Sequence, residues 1–165
     1  LAHNGNLTNA ASLRKDLIER GAIFQSSSDS ECIIHLMARS IQKNIPERMK
    51  NALRAVEGAF SIIAMTRTKL IGVRDPLGVR PLVIGQLGEG WVLSSETCAL
   101  DIIGAEFIRE VEPGEMVVVE NGQLASTRPF HPAKSRFCIF EQVSFSRPDS
   151  TLGGRTVDVF AVAKR

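Results

Sequence analysis

Cysteine is scarce in this chain: three in 165 residues, Cys32, Cys98 and Cys138, with no C-x-x-C spacing among them. An odd number of widely separated thiols argues against a disulfide framework and suits a reducing compartment. An excess of charge is lacking too. Twenty basic residues against 18 acidic leave a net +2, with the signs interspersed, so nucleic acid and membrane are disfavoured as partners and a small molecule fits better. No run of about 18 apolar residues and no signal-peptide pattern is legible. The expected compartment is the cytoplasm. G-x-G-x-x-G is absent, which disfavours a Rossmann fold, and no internal repeat or low-complexity tract is present.

What the chain does have is 44% apolar content, enough for one domain with a real core. Residues 8 to 20 place Ala10, Leu13 and Leu17 on one face, with Thr8 or Asn9 as the cap and Gly21 as the stop. A second helix is expected to begin at Asp29. Ser28 and Glu31 stand in capping-box spacing ahead of a stripe of Ile33, Ile34, Met37, Ala38 and Ile41. A third follows Pro46, with Met49, Leu53 and Val56 on one face and Gly58 at its end. The three helices are expected to pack as one layer.

From there the texture changes to short Val-, Ile- and Phe-rich runs at 59–65, 70–74, 81–86 and 91–94, which predict antiparallel strands. Asp75-Pro76-Leu77-Gly78 fits a type I turn, and Gly88-Glu89-Gly90 a tight reversal. Ser94 or Ser95 can cap a short helix that ends at Gly104. Asn121-Gly122 joins two further strands with the strongest two-residue hairpin signal. Beyond Arg128, Pro129, Pro132 and Pro148 punctuate a segment that reads as leaving one domain for another, with a boundary near 130. Helices followed by strands predict an α+β fold.

The candidate chemistry lies early. Asn4-Gly5 can aim a side-chain amide and a backbone N–H at one developing oxyanion; the same dipeptide is also a common turn. Asp29, just outside a helix start, can hold an amino group or simply complement the helix dipole. His3 and His35 read as structural, since nothing nearby offers them a nucleophile to activate. Arg74 and Arg80 could meet a phosphate, but surface or interdomain ion pairs are the default. Cys32 and Cys98 read as small buried hydrophobes, and Cys138, by spacing alone, as another core residue.

Several stretches together resemble the amidophosphoribosyltransferase family in its class II glutaminase domain: AHNGNL (2–7), SSDSE (27–31), RDPLGVRPL (74–82), SSETCALD (94–101), IGAEF (103–107), EPGEM (112–116) and FSRPDS (145–150). The first two are shared with other class II amidotransferases; the later ones are more specific. The resemblance implies an N-terminal-nucleophile hydrolase fold, an αββα sandwich of antiparallel sheets. It assigns residues 1–130 to the glutaminase domain and 131–165 to a linker and the start of a phosphoribosyltransferase domain. Asn4 and Gly5 would form the oxyanion hole and Asp29 would bind the α-amino group of glutamine. The nucleophilic cysteine and a carboxylate-binding arginine would precede Leu1, as would the first strands, so the chain reads as a fragment, inactive alone.

In the complete enzyme ammonia would convert phosphoribosyl pyrophosphate to 5-phosphoribosylamine, the opening step of purine synthesis. Magnesium would serve the second domain. Cys138 matches the first ligand of a [4Fe-4S] cluster found in some members. A homo-oligomer is expected at full length. Two alternatives are the glutaminase domain of glucosamine-6-phosphate synthase, against which RDPLGVRPL, SSETCALD and SRPDS speak, and a non-catalytic remnant that binds glutamine.

Overall fold

The computed structural model describes residues 1–131, 147, 149–152 and 154–156. Its elements run β1 (Ala2–Leu7), α1 (Ala10–Glu19), α2 (Ser30–Arg39), α3 (Ile45–Arg54), β2 (Gly58–Met65), β3 (Lys69–Arg74), β4 (Val83–Leu87), β5 (Gly90–Ser94), α4 (Thr97–Ile103), β6 (Glu106–Glu110), β7 (Met116–Glu120) and β8 (Gln123–Thr127). Two-residue strands β9 (Thr151–Leu152) and β10 (Arg155–Thr156) follow. One antiparallel sheet has the order β1-β2-β3-β7-β8 and a second the order β5-β4-β6.

The alternation of side chains along the strands builds the layers, because successive residues point to opposite faces. Phe60, Ile62, Ala64, Ile71, Val73 and Met116 share a buried cluster with Ile33 of α2 and with Met49, Ala52 and Leu53 of α3. The intervening Ile63 and Val117 pack instead with Leu82, just before β4, and with Ile84, Trp91 and Leu93 of the second sheet. On that sheet's far face Val83 and Val92 meet Leu100 of α4. Helices, sheet, sheet and helix therefore stack as the expected αββα sandwich. Burying each large aliphatic side chain contributes about 1.5–3 kcal/mol.

Several local expectations need correction. Asn9 occupies the cap position of α1 but does not cap it: its Nδ2 donates to Ala55 O at 2.9 Å and its Oδ1 accepts from Glu57 N at 3.0 Å. The capping box at α2 is not formed either. Glu31 turns back to accept from the backbone N–H groups of Gln25 (2.7 Å) and Ser26 (2.8 Å). Helix α2 ends at Arg39, so Ile41 lies beyond it and Ile34 faces outward, the buried face being Cys32 and Ile33. Gly58 opens β2 instead of ending α3; at φ +123° its added Cβ would meet Asn6 O at 2.3 Å.

Strand β6 has no counterpart in the sequence pattern, because Phe107 and Ile108 are both exposed and leave no alternation to read. Arg74 is buried, against the surface default: it donates to Arg80 O (2.9 Å), Val111 O (2.7 Å) and Gly78 O (3.1 Å) and pairs with Glu110. Asp75 stands beside it, wholly buried, accepting from the N–H groups of Leu77 and Val79 to build the predicted turn. Burial pushes its carboxyl above the ordinary carboxylate range. The hairpin at Asn121-Gly122 forms as expected, with φ of 52° and 75°.

Arg147, Ser150 and Thr151 lie against the start of α4: Glu96 accepts from Arg147 N (2.9 Å) and Ser150 Oγ (2.8 Å), and Thr97 Oγ1 accepts from Thr151 N (2.8 Å). Cys138 lies outside the described residues, as does most of the segment after 131. Among the described residues no helix is long and apolar enough to cross a membrane.

Candidate active site

Asn4 and Gly5 lie in the middle of β1, paired with Ser61 and Phe60 of β2, which removes the turn reading of the dipeptide. Strand alternation then separates their surroundings. Asn4 shares the inter-sheet face with Ser61, and together with Ile63, Leu82 and Ser95 it lines a cavity of about 150 Å³. Gly5 belongs to the face toward the helices. A Cβ there would stand 2.1 Å from Ala59 O and 2.7 Å from His3 Nε2, so close approach of backbone, not a turn, calls for glycine.

Asp29 is brought to the same strand from α2. Its Oδ2 accepts the backbone N–H of Leu7 at 3.0 Å, and its Oδ1 lies 3.4 Å from Nδ1 of His3. The carboxylate makes no capping bond to its own helix, although it sits at the cap position. Its side chain remains 25% exposed, so lone pairs are left for a ligand. The three predicted site residues thus sit on or directly against β1.

The loop before α2 is fixed independently. Glu31 accepts from Gln25, Ser26 and the Ser26 hydroxyl; the Gln25 N–H is the largest of the influences that hold its carboxyl at about 2. Arg14 donates to Ser26 O (2.8 Å) and Ser28 O (3.2 Å), with its guanidinium 4.1 Å above the Phe24 ring. His35 packs on Phe24 at 4.4 Å and pairs with Glu31, a structural role as read from sequence. Sequence reasoning missed Arg14 as a loop anchor and left His3 without a function. The signal for His3 was available: in a strand, residues 3, 5 and 7 share one face.

Cys32 and Cys98 are free and buried. Burial pushes the Cys32 thiol up, the reverse of what a thiolate nucleophile needs.

A four-layer αββα fold with an Asn-Gly strand and an aspartate held against it defines a glutamine amidotransferase domain; the chain matches that family over residues 1–101 and belongs to it. Its relatives are more particular. It is 51% identical to the amidophosphoribosyltransferase of Rhizobium etli over 162 residues, covering 95% of this chain and 33% of that enzyme. Identity to the Bacillus subtilis amidophosphoribosyltransferase is 45% over 157 residues, with 95% and 33% covered. The solved B. subtilis glutamine phosphoribosylpyrophosphate amidotransferase, complexed with ADP and GMP, aligns at a TM-score of 0.91 and 44% identity over 94% of this chain and 34% of that one. A glutamine aminotransferase class-II domain protein from Silicibacter pomeroyi, at 19% identity and a TM-score of 0.55 over 77% of this chain and 64% of that one, shares the fold alone. The chain spans about a third of the length of the curated relatives it matches.

Proposed function

We propose that this chain is the glutaminase part of an amidophosphoribosyltransferase. In this reading Asn4 and Gly5 stabilise an oxyanion and Asp29 holds the α-ammonium group of glutamine. The observation that carries it is the Asp29 carboxylate, fixed on β1 through Leu7 N–H yet a quarter exposed, beside a mid-strand Asn-Gly pair.

The chemistry follows from those placements. A thiolate adds to the carboxamide carbon of glutamine, and the carbonyl oxygen takes up the negative charge. The Asn4 side-chain amide and the Gly5 backbone N–H donate to that oxygen. Collapse of the intermediate expels ammonia, which leaves a thioester, and water converts it to glutamate with return of the thiol. The nucleophile belongs to the family resemblance: a cysteine at the mature N-terminus, with its own α-amine as base. Neither Cys32 nor Cys98 supplies that pairing, since both are buried and neither has a free α-amine.

Ammonia would then displace pyrophosphate from phosphoribosyl pyrophosphate to give 5-phosphoribosylamine, with magnesium serving that second domain and a homo-oligomer as the assembly. Among the described residues no group of three or more His, Cys, Asp or Glu stands together to hold a metal. Cys138 stays a candidate [4Fe-4S] ligand outside those residues, and no step above is routed through a metal.

Steady-state kinetics of the full-length protein carrying this domain test the reading. Asn4→Ala should lower glutamine-dependent kcat by about 10²–10³, the usual loss for one oxyanion donor, while synthesis from free ammonia continues. Fructose 6-phosphate accepted as the amination substrate in place of phosphoribosyl pyrophosphate would favour the glucosamine-6-phosphate synthase alternative. The 165 residues by themselves should release ammonia from glutamine only at background; robust turnover would demand an internal nucleophile.

A further inference from the structure

We infer that His3 is a positioning residue that sets the orientation of the Asp29 carboxylate toward its amine ligand. This rests on the proposed role of Asp29. The His3 side chain is only 2% exposed. Its Nδ1 lies 3.2 Å from Ser30 Oγ and 3.4 Å from Asp29 Oδ1, and Ser30 Oγ is itself 3.4 Å from that same oxygen.

Among the described residues the other ring nitrogen has no partner. His3 Nε2 is buried without a hydrogen bond and faces the empty side of Gly5, where a Cβ would come within 2.7 Å of it. An apolar ring would fill this space without stranding a polar atom, and buried polar atoms normally find partners. Packing alone therefore does not explain an imidazole here. The two nitrogens together assign the tautomer. Asp29 only accepts, and an N–H at Nε2 would point at no acceptor, so the hydrogen belongs on Nδ1. From there it reaches Ser30 Oγ at 3.2 Å, and the Ser30 hydroxyl donates on to Asp29 Oδ1.

The result is a clamp with both jaws on β1. His3 holds one carboxylate oxygen and Leu7 N–H the other, and Asn4 and Gly5 lie between those two residues in sequence and register. The amine anchor and the oxyanion pair are thereby tied to one another through a single strand. Substrate geometry of this kind depends on groups whose own orientation is locked.

The test uses the full-length protein. His3→Phe keeps a ring but no donor; His3→Gln places an amide near the Nε2 position; His3→Asn places its amide nitrogen where Nδ1 stands. His3→Phe and His3→Gln should raise KM for glutamine about tenfold, the loss of one hydrogen bond to a charged group, with kcat changed less than KM. His3→Asn should return KM to within about threefold of the parent. In an Asp29→Ala background, His3→Phe should add nothing further. The inference is overturned by a wild-type KM in His3→Phe, or by His3→Asn being as poor as His3→Phe. Nitrogen-15 spectra of the unmutated protein provide a reading independent of any variant's folding: the Nδ1–H tautomer is expected, and Nε2–H contradicts it. If Asp29→Ala itself leaves KM unchanged, the functional reading fails instead.

Discussion

At Gly5 a change of one methyl group should do great harm. An alanine methyl would sit 2.1 Å from Ala59 O, which lies on the paired strand and cannot give without breaking register. Gly5→Ala should cost about 3 kcal/mol or more, at the upper end of overpacking effects, and chemical unfolding measures it. A change below about 0.5 kcal/mol, the range of a neutral surface substitution, would mean that the strand sits elsewhere. Glu31 makes a different prediction. Its folded carboxyl lies at about 2 against an ordinary 4.5, so the unfolded chain takes up the proton first. The stability it contributes is complete above about 4.5 and declines as pH falls from there toward 2. Urea midpoints across that window should fall less steeply in Glu31→Gln than in the parent. Identical slopes would remove Glu31 from the loop's anchoring.

At the scale of elements, the sequence is legible where one residue type has one strong conformational use. Asn121-Gly122 takes positive φ at both positions and closes its hairpin; Gly104 ends α4 in the left-handed region. Helix starts were harder to read, because a side chain that can cap can equally bond outside its helix. Among the described helices only α3 shows the simple form, Asn44 Oδ1 accepting from Glu47 N at 2.9 Å. Asn9 instead ties the start of α1 to the turn before β2, using both ends of its amide. Asn9→Ala should therefore destabilise the domain by about 1–2 kcal/mol through two lost hydrogen bonds, read from thermal or urea unfolding. Asn9→Ser, which restores an ordinary capping group and not the bridge, should recover little of it. Full recovery would mean that Asn9 acts as a cap after all.

Across the whole molecule, the period-2 pattern of the strands carries the architecture: alternate residues of β2, β3 and β7 enter different cores, which makes two sheets and two helical layers from one chain. What stayed hidden were contacts between distant segments. Asp29 meets Leu7 across 22 positions and Glu96 meets Ser150 across 54, separations to which no local periodicity is sensitive. Asn4, Gly5 and Asp29 were legible as candidates by residue type and motif; that one strand gathers them is a property of the fold. The burial of Arg74 was hidden for the same reason, since its carbonyl partners come both from the nearby 78–80 loop and from Val111, 37 positions away. The central claim, that this strand and Asp29 together hold glutamine at its two ends, is tested most directly by glutamate formation from glutamine in the full-length protein, measured for the parent, Asn4→Ala and Asp29→Ala. The account predicts a kcat lowered by about 10²–10³ in Asn4→Ala, and in Asp29→Ala a KM raised at least about tenfold, the least expected from losing a charge-assisted bond; parent-like kcat and KM in both variants would contradict it.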